Sequence, residues 1–310
     1  MQIIDLFSGI GGLSYGFQQA GHTLLAAYDD DPTAVEYYNL NLGAAGRAHV
    51  ADVHELDAAA LPDADAIMGS PPCQPFSNGS QHYKNRKGPS DERNLIPHFV
   101  RLVVAKRPIF FLMENVVGLL SYTQYLAGQL RPLFAAGYLP VITVLNAAHY
   151  GVPQDRKRVF IAGYRDNRLP LWPAPTHTRG DAVTTRRALG ELLAPAAGQP
   201  GRPLPRYLKH FADRELLVDT QNRSQLADGT RYYKARSLDM PAYTVAASER
   251  QGSKRAVLGD RAIGLGVRHN RILQTFPPDW QLPTDSKQAL RLIGNAVPPL
   301  LAYRIAQAMT

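Results

Sequence analysis

The chain has one cysteine, set as a presented thiol: Gly69-Ser70-Pro71-Pro72-Cys73-Gln74-Pro75-Phe76-Ser77 follows the apolar run Ala66-Ile67-Met68. A cysteine that only fills a core needs no proline-rich turn. A nucleophilic thiolate needs access and positive neighbours that lower its pKa. Two further clusters could serve such chemistry. Phe111-Leu112-Met113-Glu114-Asn115-Val116 puts a carboxyl at the end of an apolar strand, where burial is costly unless the group is paired or protonated. Glu114 is read as a carboxyl of raised pKa, able to give a proton to a ring nitrogen, with a turn-capping Glu as the alternative. Gln154-Asp155-Arg156-Lys157-Arg158-Val159-Phe160 leads into a strand. Alternation along it puts Arg156 and Arg158 on one face, fit to bind an anion or a carbonyl oxygen, or simply forming a solvated basic edge.

A glycine-rich turn stands near the start, in Asp5-Leu6-Phe7-Ser8-Gly9-Ile10-Gly11-Gly12. Glycines after a first strand let the backbone approach a ligand closely at the carboxyl end of a sheet. The last glycine follows directly on the second, unlike the dinucleotide fingerprint. A carboxylate at the end of the second strand, in Asp29-Asp30-Asp31, can accept both ribose hydroxyls of an adenosine-type ligand, and Asp52 after the third can accept from an adenine amino group.

The elements that must hold these groups alternate. Strands are expected at 2–6, 24–28, 66–69, 109–114, 139–146 and 159–161, and helices at 12–20, 32–40, 95–105, 125–136 and 300–309. This is the pattern of a doubly wound, largely parallel α/β sheet. Periodicity is lost after Gly163, where Pro170, Pro173, Pro175, Pro195, Pro200, Pro203 and Pro205 crowd together. A smaller loop-rich domain is expected over 164–284, with short strands at 243–245 and 256–258. The main domain would span 1–163 and be completed by 285–310.

At 310 residues, 45% apolar and 19% charged, the chain can bury a sizeable core, and no apolar run approaches a membrane span. No signal peptide is read at the N-terminus, and one cysteine without an export signal gives a cytoplasmic expectation. One cysteine and scattered histidines offer no zinc site. The net charge is +8 and the pI about 9.6, which suit a polyanionic partner. Residues 164–236 contain 13 Lys and Arg against 7 Asp and Glu, so most of the excess falls there.

Pro72-Cys73-Gln74, Glu114-Asn115-Val116 and Gln154-x-Arg156-x-Arg158, in this order and after the glycine turn, jointly resemble a DNA (cytosine-5) methyltransferase of the compact bacterial modification type. The resemblance implies a Rossmann-like catalytic domain that binds S-adenosylmethionine, with a smaller target-recognition domain. It places Phe7, Gly9, Ile10 and Gly12 at the cofactor's methionine and ribose, Asp29 at the ribose hydroxyls, Asp30 beside the adenine, and Asp52 and Val53 at the adenine edge. Pro72 and Leu95 would pack near the cofactor, and Asn295 and Val297 would close over its amino-acid end. Cys73 would attack C6 of a cytosine flipped out of duplex DNA, Glu114 would protonate or hydrogen-bond N3, Arg158 would hold O2, and Arg156 would help position the active-site loop and thiolate.

By the same resemblance, Gln74 and Ser77 would contact DNA, with Lys84, Arg86 and Lys87 either further phosphate contacts or solvated loop charges. Arg179, Arg186, Arg187, Arg223 and Arg231 of the variable region would read guanine edges or neutralise phosphates. Arg268-His269-Asn270-Arg271 stands where the family usually has a Thr-x-Arg-Glu helix start. A monomer acting on a short duplex site is expected, with a cognate restriction endonuclease as a possible partner. The other readings are a tRNA cytosine-5 methyltransferase, disfavoured by the missing Cys-Phe-Thr motif, a silent DNA-bound regulator, disfavoured by intact Cys73, Glu114 and Arg158, and a small-substrate dehydrogenase.

Overall fold

Ile3, Ile4 and Leu6 are fully buried, and with them the chain begins in the middle of a sheet. A computed structural model describes residues 1–44, 47–77, 87–194, 203–212, 214–225, 231–247 and 253–309, the side chains at 207, 221–225 and 231–232 excepted. Two compact units form, one from 1–146, 157–174 and 296–310, the other from 147–156 and 175–295.

The first unit is built on seven strands: β1 (Gln2–Leu6), β2 (Thr23–Asp29), β3 (Ala48–Val50), β4 (Ala66–Gly69), β5 (Phe110–Val116), β6 (Val141–Asn146) and β8 (Lys157–Tyr164). Their order is β3-β2-β1-β4-β5-β8-β6. Pairing is parallel from β3 to β5, and β8 runs antiparallel to both β5 and β6. Chain order reverses beside β1, so the ends of β1, β2 and β4 meet at a switch point, where α/β sheets bind ligands.

Helices α3 (Ile96–Lys106) and α4 (Thr123–Ala135) cover one face. Phe99, Val103, Leu126 and Leu133 pack there against Ile4, Leu6, Ile67, Phe111 and Ile161. Helices α1 (Gly12–Gln19), α2 (Pro32–Leu42) and α8 (Pro299–Ala308) complete the unit. Asp31 starts α2, its side chain accepting from Thr33 N–H at 2.9 Å, with Pro32 in the first turn. Gly16 lets α1 touch α8: a Cβ there would stand 2.4 Å from Ala302 Cβ.

The second unit contains a two-stranded ribbon, β7 (Gln154–Asp155) with β11 (Ala242–Tyr243), and a four-stranded sheet in the order β10-β9-β12-β13. These four are β9 (Glu215–Gln225), β10 (Arg231–Ser237), β12 (Lys254–Leu258) and β13 (Arg261–Gly264). Leu204, Leu208, Phe211, Val218, Val257 and Ala262 form its core. Three helices, α5 (Thr185–Leu189), α6 (Val267–Leu273) and α7 (Ser286–Asn295), belong to the same unit. Helix α6 starts where the sequence departs from the family's usual residues, and His269 takes the capping role: its Nδ1 accepts from the Gly266 N–H at 3.1 Å.

The expected strands and helices of the first 163 residues are present, with ends moved by a few residues. Strand β5 runs to Val116 because Val116 pairs with Arg158 on β8, so Glu114 lies inside the strand. The β9–β10 hairpin and α7 are elements that the sequence pattern did not suggest.

Candidate active site

The turn after β1 is tight. Phe7 has φ 58, Gly9 φ 53 and Gly11 φ 86. A left-handed Phe7 is a strained conformation, of a kind that clusters at binding sites. A side chain at Gly11 would be strained, because its φ is left-handed and a Cβ would lie 2.5 Å from Leu42 Cδ1 on α2, forcing that side chain to move. The Gly9 N–H donates to Asp29 Oδ2 at 2.8 Å and the Asp31 N–H to Oδ1 at 3.0 Å. Each carboxylate oxygen keeps a lone pair for a further donor. Burial pushes the Asp29 pKa up to about 6, so the group is still an ionised acceptor at neutral pH.

Beneath this turn Asp5 is buried, accepting from Ser14 Oγ–H at 2.6 Å, and Ser14 Oγ accepts from Tyr38 O–H at 2.9 Å. Burial raises the Asp5 pKa to about 7. Val53, Leu95 and Ile10 are buried in the same unit, whereas Asp30 is exposed. Asp52 is half exposed and accepts from His54 through both the backbone N–H and Nδ1. Asn295 is exposed at the end of α7, and Val297 is buried in the first unit.

Cys73 lies in the turn after β4, its thiol outside any disulfide. The Phe76 N–H donates to the Cys73 carbonyl at 3.0 Å, closing the turn. On the neighbouring strand β5, Asn115 Nδ2 donates to the Pro71 carbonyl at 3.1 Å and pins the chain just before the cysteine. Glu114 precedes Asn115, its carboxyl almost buried, with Arg158 Nε 3.1 Å from Oε1. The sheet therefore presents a thiol, a carboxyl and a guanidinium from the ends of β4, β5 and β8.

Arg156 does not join Arg158 on one face, as strict alternation had suggested. Strand β7 ends at Asp155 and β8 begins at Lys157, so Arg156 lies at a break between two sheets. It belongs to the second unit and is 1% exposed. Its guanidinium donates to the Val245 carbonyl at 2.8 Å and the Gly294 carbonyl at 3.0 Å. Gln154 works beside it: Oε1 accepts from the Val245 N–H at 2.9 Å, and Nε2 donates to the Leu273 carbonyl at 2.8 Å and to Gln274 Oε1.

Lys254, at the start of β12, is buried too, and donates to the Thr244 carbonyl at 2.9 Å. Burial lowers its pKa to about 7, partly offset by Asp219. Asn115, Asp5, Ser14 and the Gln154–Lys254 network are the site features that sequence reasoning left out. Of these, Asn115, Gln154 and Asp5 stood inside motifs already noticed, but with no role assigned to them.

The C-5 cytosine-specific DNA methylase family matches the chain over residues 1–310. The chain belongs to that family. Among its relatives, the type II methyltransferase M.AplI of Arthrospira platensis is 31% identical over 322 residues, covering 99% of this chain and 85% of that protein. The type II methyltransferase M.MthTI of Methanothermobacter thermautotrophicus is 32% identical over 336 residues, covering 99% and 96%. A prophage-encoded DNA modification methyltransferase of E. coli shares the fold at a TM-score of 0.67 and 22% identity, covering 99% of this chain and 98% of that one. Dnmt2 of S. pombe does so at 0.66 and 18%, covering 98% and 96%.

The methylase transfers a methyl group from S-adenosylmethionine to C5 of cytosine in DNA. The residues present fit that cofactor. A Cβ at Gly9 would meet nothing within 4 Å, so there is open space over the turn. The buried hydroxyl of Ser8 has no hydrogen-bond partner among the described residues, and Asp29 offers two acceptors at the end of the neighbouring strand β2, where the Ser8 N–H donates to the Tyr28 carbonyl at 3.1 Å. Among the described residues no cluster of three or more His, Cys, Asp or Glu could hold a metal ion, and no helix is long and apolar enough to cross a membrane.

Of the arginines expected at DNA, Arg186 is held by Glu215 at 2.6 Å and Asp239 at 2.7 Å. Arg179 and Arg187 are exposed. The side chains of Arg223 and Arg231, and the residues Lys84 and Arg86, lie outside the described residues. Gln74 is exposed and Ser77 half-buried, both just before them.

Proposed function

We propose that the methylase modifies cytosine within a short duplex DNA site, on a flipped-out base, through a covalent bond between Cys73 and C6. The observation that supports this is that Cys73 follows β4 while Glu114 and Arg158 stand on the next two strands of the sheet, β5 and β8, with the Glu114 carboxyl 3.1 Å from Arg158 Nε. A stacked cytosine shields both ring faces, so it must leave the helix to meet the thiolate. Carbon C6 is a poor electrophile. Glu114 delivers a proton to N3, and Arg158 holds O2, drawing electron density from the ring. Thiolate addition at C6 makes C5 nucleophilic. When bound, S-adenosylmethionine supplies the sulfonium methyl that C5 takes. A base then removes the C5 proton and Cys73 leaves by elimination.

Arg156 is in this reading a positioning residue acting through Val245 and Gly294. Phe7, Gly9, Ile10, Gly12, Asp29, Asp30, Asp52, Val53, Pro72, Leu95, Asn295 and Val297 hold the cofactor, and Gln74 and Ser77 meet the DNA. Segment 164–284 reads the target, and the basic excess there supplies phosphate contacts. The enzyme acts as a monomer in the cytoplasm, on nucleoid DNA, beside a cognate endonuclease of the kind that names such as type II methyltransferase suggest for its relatives.

Purified protein given labelled S-adenosylmethionine, with duplex DNA and tRNA in separate reactions, tests this. Label at C5 of cytosine in one short DNA motif, lost in Cys73→Ser, is the expected result. Label confined to tRNA, or an unchanged rate in Cys73→Ser, overturns it.

A further inference from the structure

Two tyrosines at the start of α4 touch the chain at the end of the cysteine turn and again at 88–94. Tyr122 and Tyr125 are three residues apart, which puts them on one helix face. The buried Phe76 ring, whose backbone closes the Cys73 turn, lies edge-on to Tyr122 at 5.5 Å and stacks on Tyr125 at 5.9 Å. The Tyr125 hydroxyl donates to Asn94 Oδ1 at 2.9 Å, and Asn94 Nδ2 also reaches that hydroxyl at 2.8 Å. The same Nδ2 donates to the Pro89 carbonyl at 3.0 Å. Gly88 rests against Tyr122 so closely that a Cβ would lie 2.6 Å from the ring. One pair of rings thus holds the chain at Phe76 and again at Gly88, Pro89 and Asn94.

We propose that Tyr122 and Tyr125 are positioning residues for the Cys73 thiol, acting through Phe76. Asn115 fixes Pro71 on the near side of the cysteine, and the tyrosines fix Phe76 on the far side. The thiol sits on a short span of backbone held at both ends. Attack on C6 demands such placement, because a misplacement of about 1 Å can cost on the order of 100-fold. The proposal rests on the reading of Cys73 as the nucleophile, and it adds residues that meet neither cofactor nor base.

The test uses the full-length enzyme, S-adenosylmethionine and duplex DNA carrying 5-fluorocytosine. Fluorine at C5 cannot leave as a proton does, so after methyl transfer the S–C6 bond cannot be eliminated and the adduct persists. The rate of adduct formation is measured beside cofactor affinity. Tyr122→Leu/Tyr125→Leu is expected to slow trapping by roughly 100-fold with cofactor affinity within about twofold of wild type. Tyr122→Phe/Tyr125→Phe keeps the rings and loses the Asn94 bond, and should fall by only about fivefold, as for one neutral hydrogen bond.

Gly88→Ala presses on the Tyr122 ring and strains a backbone held at φ 61, and should slow trapping in the same way. Should the leucine variant fail to bind cofactor, Gly88→Ala and the phenylalanine variant carry the test. Trapping at the wild-type rate in the leucine variant or Gly88→Ala overturns the proposal. So does a joint loss of trapping and cofactor affinity in Gly88→Ala, which would mark a general structural role. No adduct in wild type, or an adduct in Cys73→Ser, instead overturns the nucleophile reading, and the proposal with it.

Discussion

Glu114→Gln keeps the volume of the side chain and removes its charge and its proton. The carboxyl is 7% exposed and its Arg158 partner 14%, with Nε 3.1 Å from Oε1. The substitution should have two separable effects. Loss of a proton donor to N3 lowers turnover by about 10²–10⁴-fold, the usual contribution of general acid catalysis, or roughly 3–5.5 kcal/mol of barrier. Loss of the counter-charge leaves a guanidinium almost buried and unmatched. Breaking a fully buried pair costs about 3–5 kcal/mol, and the residual exposure of Arg158 puts this site at or below the lower end.

Single-turnover methyl transfer at saturating cofactor reads the first effect and urea unfolding the second. Arg158→Gln and the double variant complete a cycle. Because both groups act on one base, either single change should remove most of the rate, and the double should be within about tenfold of the slower single. A Glu114→Gln enzyme within about threefold of wild type, or single effects that multiply in the double variant, would refute the reasoning.

Asp5→Asn should stabilise the protein at high pH. The native pKa of Asp5 is raised to about 7 from 3.8, so its contribution is fully present below pH 3.8 and is lost as pH rises through 7. Asn at this position has no such loss, and the variant's melting temperature relative to wild type should rise between pH 5.5 and 8.5; a flat difference would count against the assignment. Asp29→Asn should weaken cofactor binding, and wild-type affinity should itself fall below about pH 6 as Asp29 protonates, readable by titration calorimetry. Arg156→Leu leaves the Val245 and Gly294 carbonyls unpaired, which at about 1–3 kcal/mol each should lower the urea midpoint well beyond a surface change. Gly16→Ala should cost about 1–3 kcal/mol through the clash of α1 with α8, seen as a lower melting temperature.

The strands of the first unit were legible because most are buried on both faces and stand out as unbroken apolar runs, such as Phe110-Phe111-Leu112-Met113. The thiol and the cofactor carboxylate were legible because each sits at or just past a strand end, and the carboxyl because it interrupts an apolar run. Arg156 was misplaced because alternation holds only within one strand, and the chain changes sheets at that residue. Strand β9 was hidden for another reason. Leu217 and Val218 are both fully buried, and Asp219 is buried with them, so the simple alternation of apolar and polar residues is absent. Tyr122 and Tyr125 carried no signal, since their partners lie up to 49 positions away in the chain.

Within the second unit, Gln154 and Arg156 tie distant segments together almost wholly through peptide groups. Their partners are the carbonyls of Val245, Gly294 and Leu273 and the N–H of Val245, and Lys254 adds the carbonyl of Thr244. Every amino acid offers a carbonyl, and all but proline an N–H. Side chains at Val245 and Leu273 can therefore change without loss of these hydrogen bonds, whereas Gly294 must stay glycine, because a Cβ there would lie 2.3 Å from the Ala246 backbone. Within this unit, segments far apart in the chain are thus joined by bonds that most changes of sequence at their acceptor positions would leave in place.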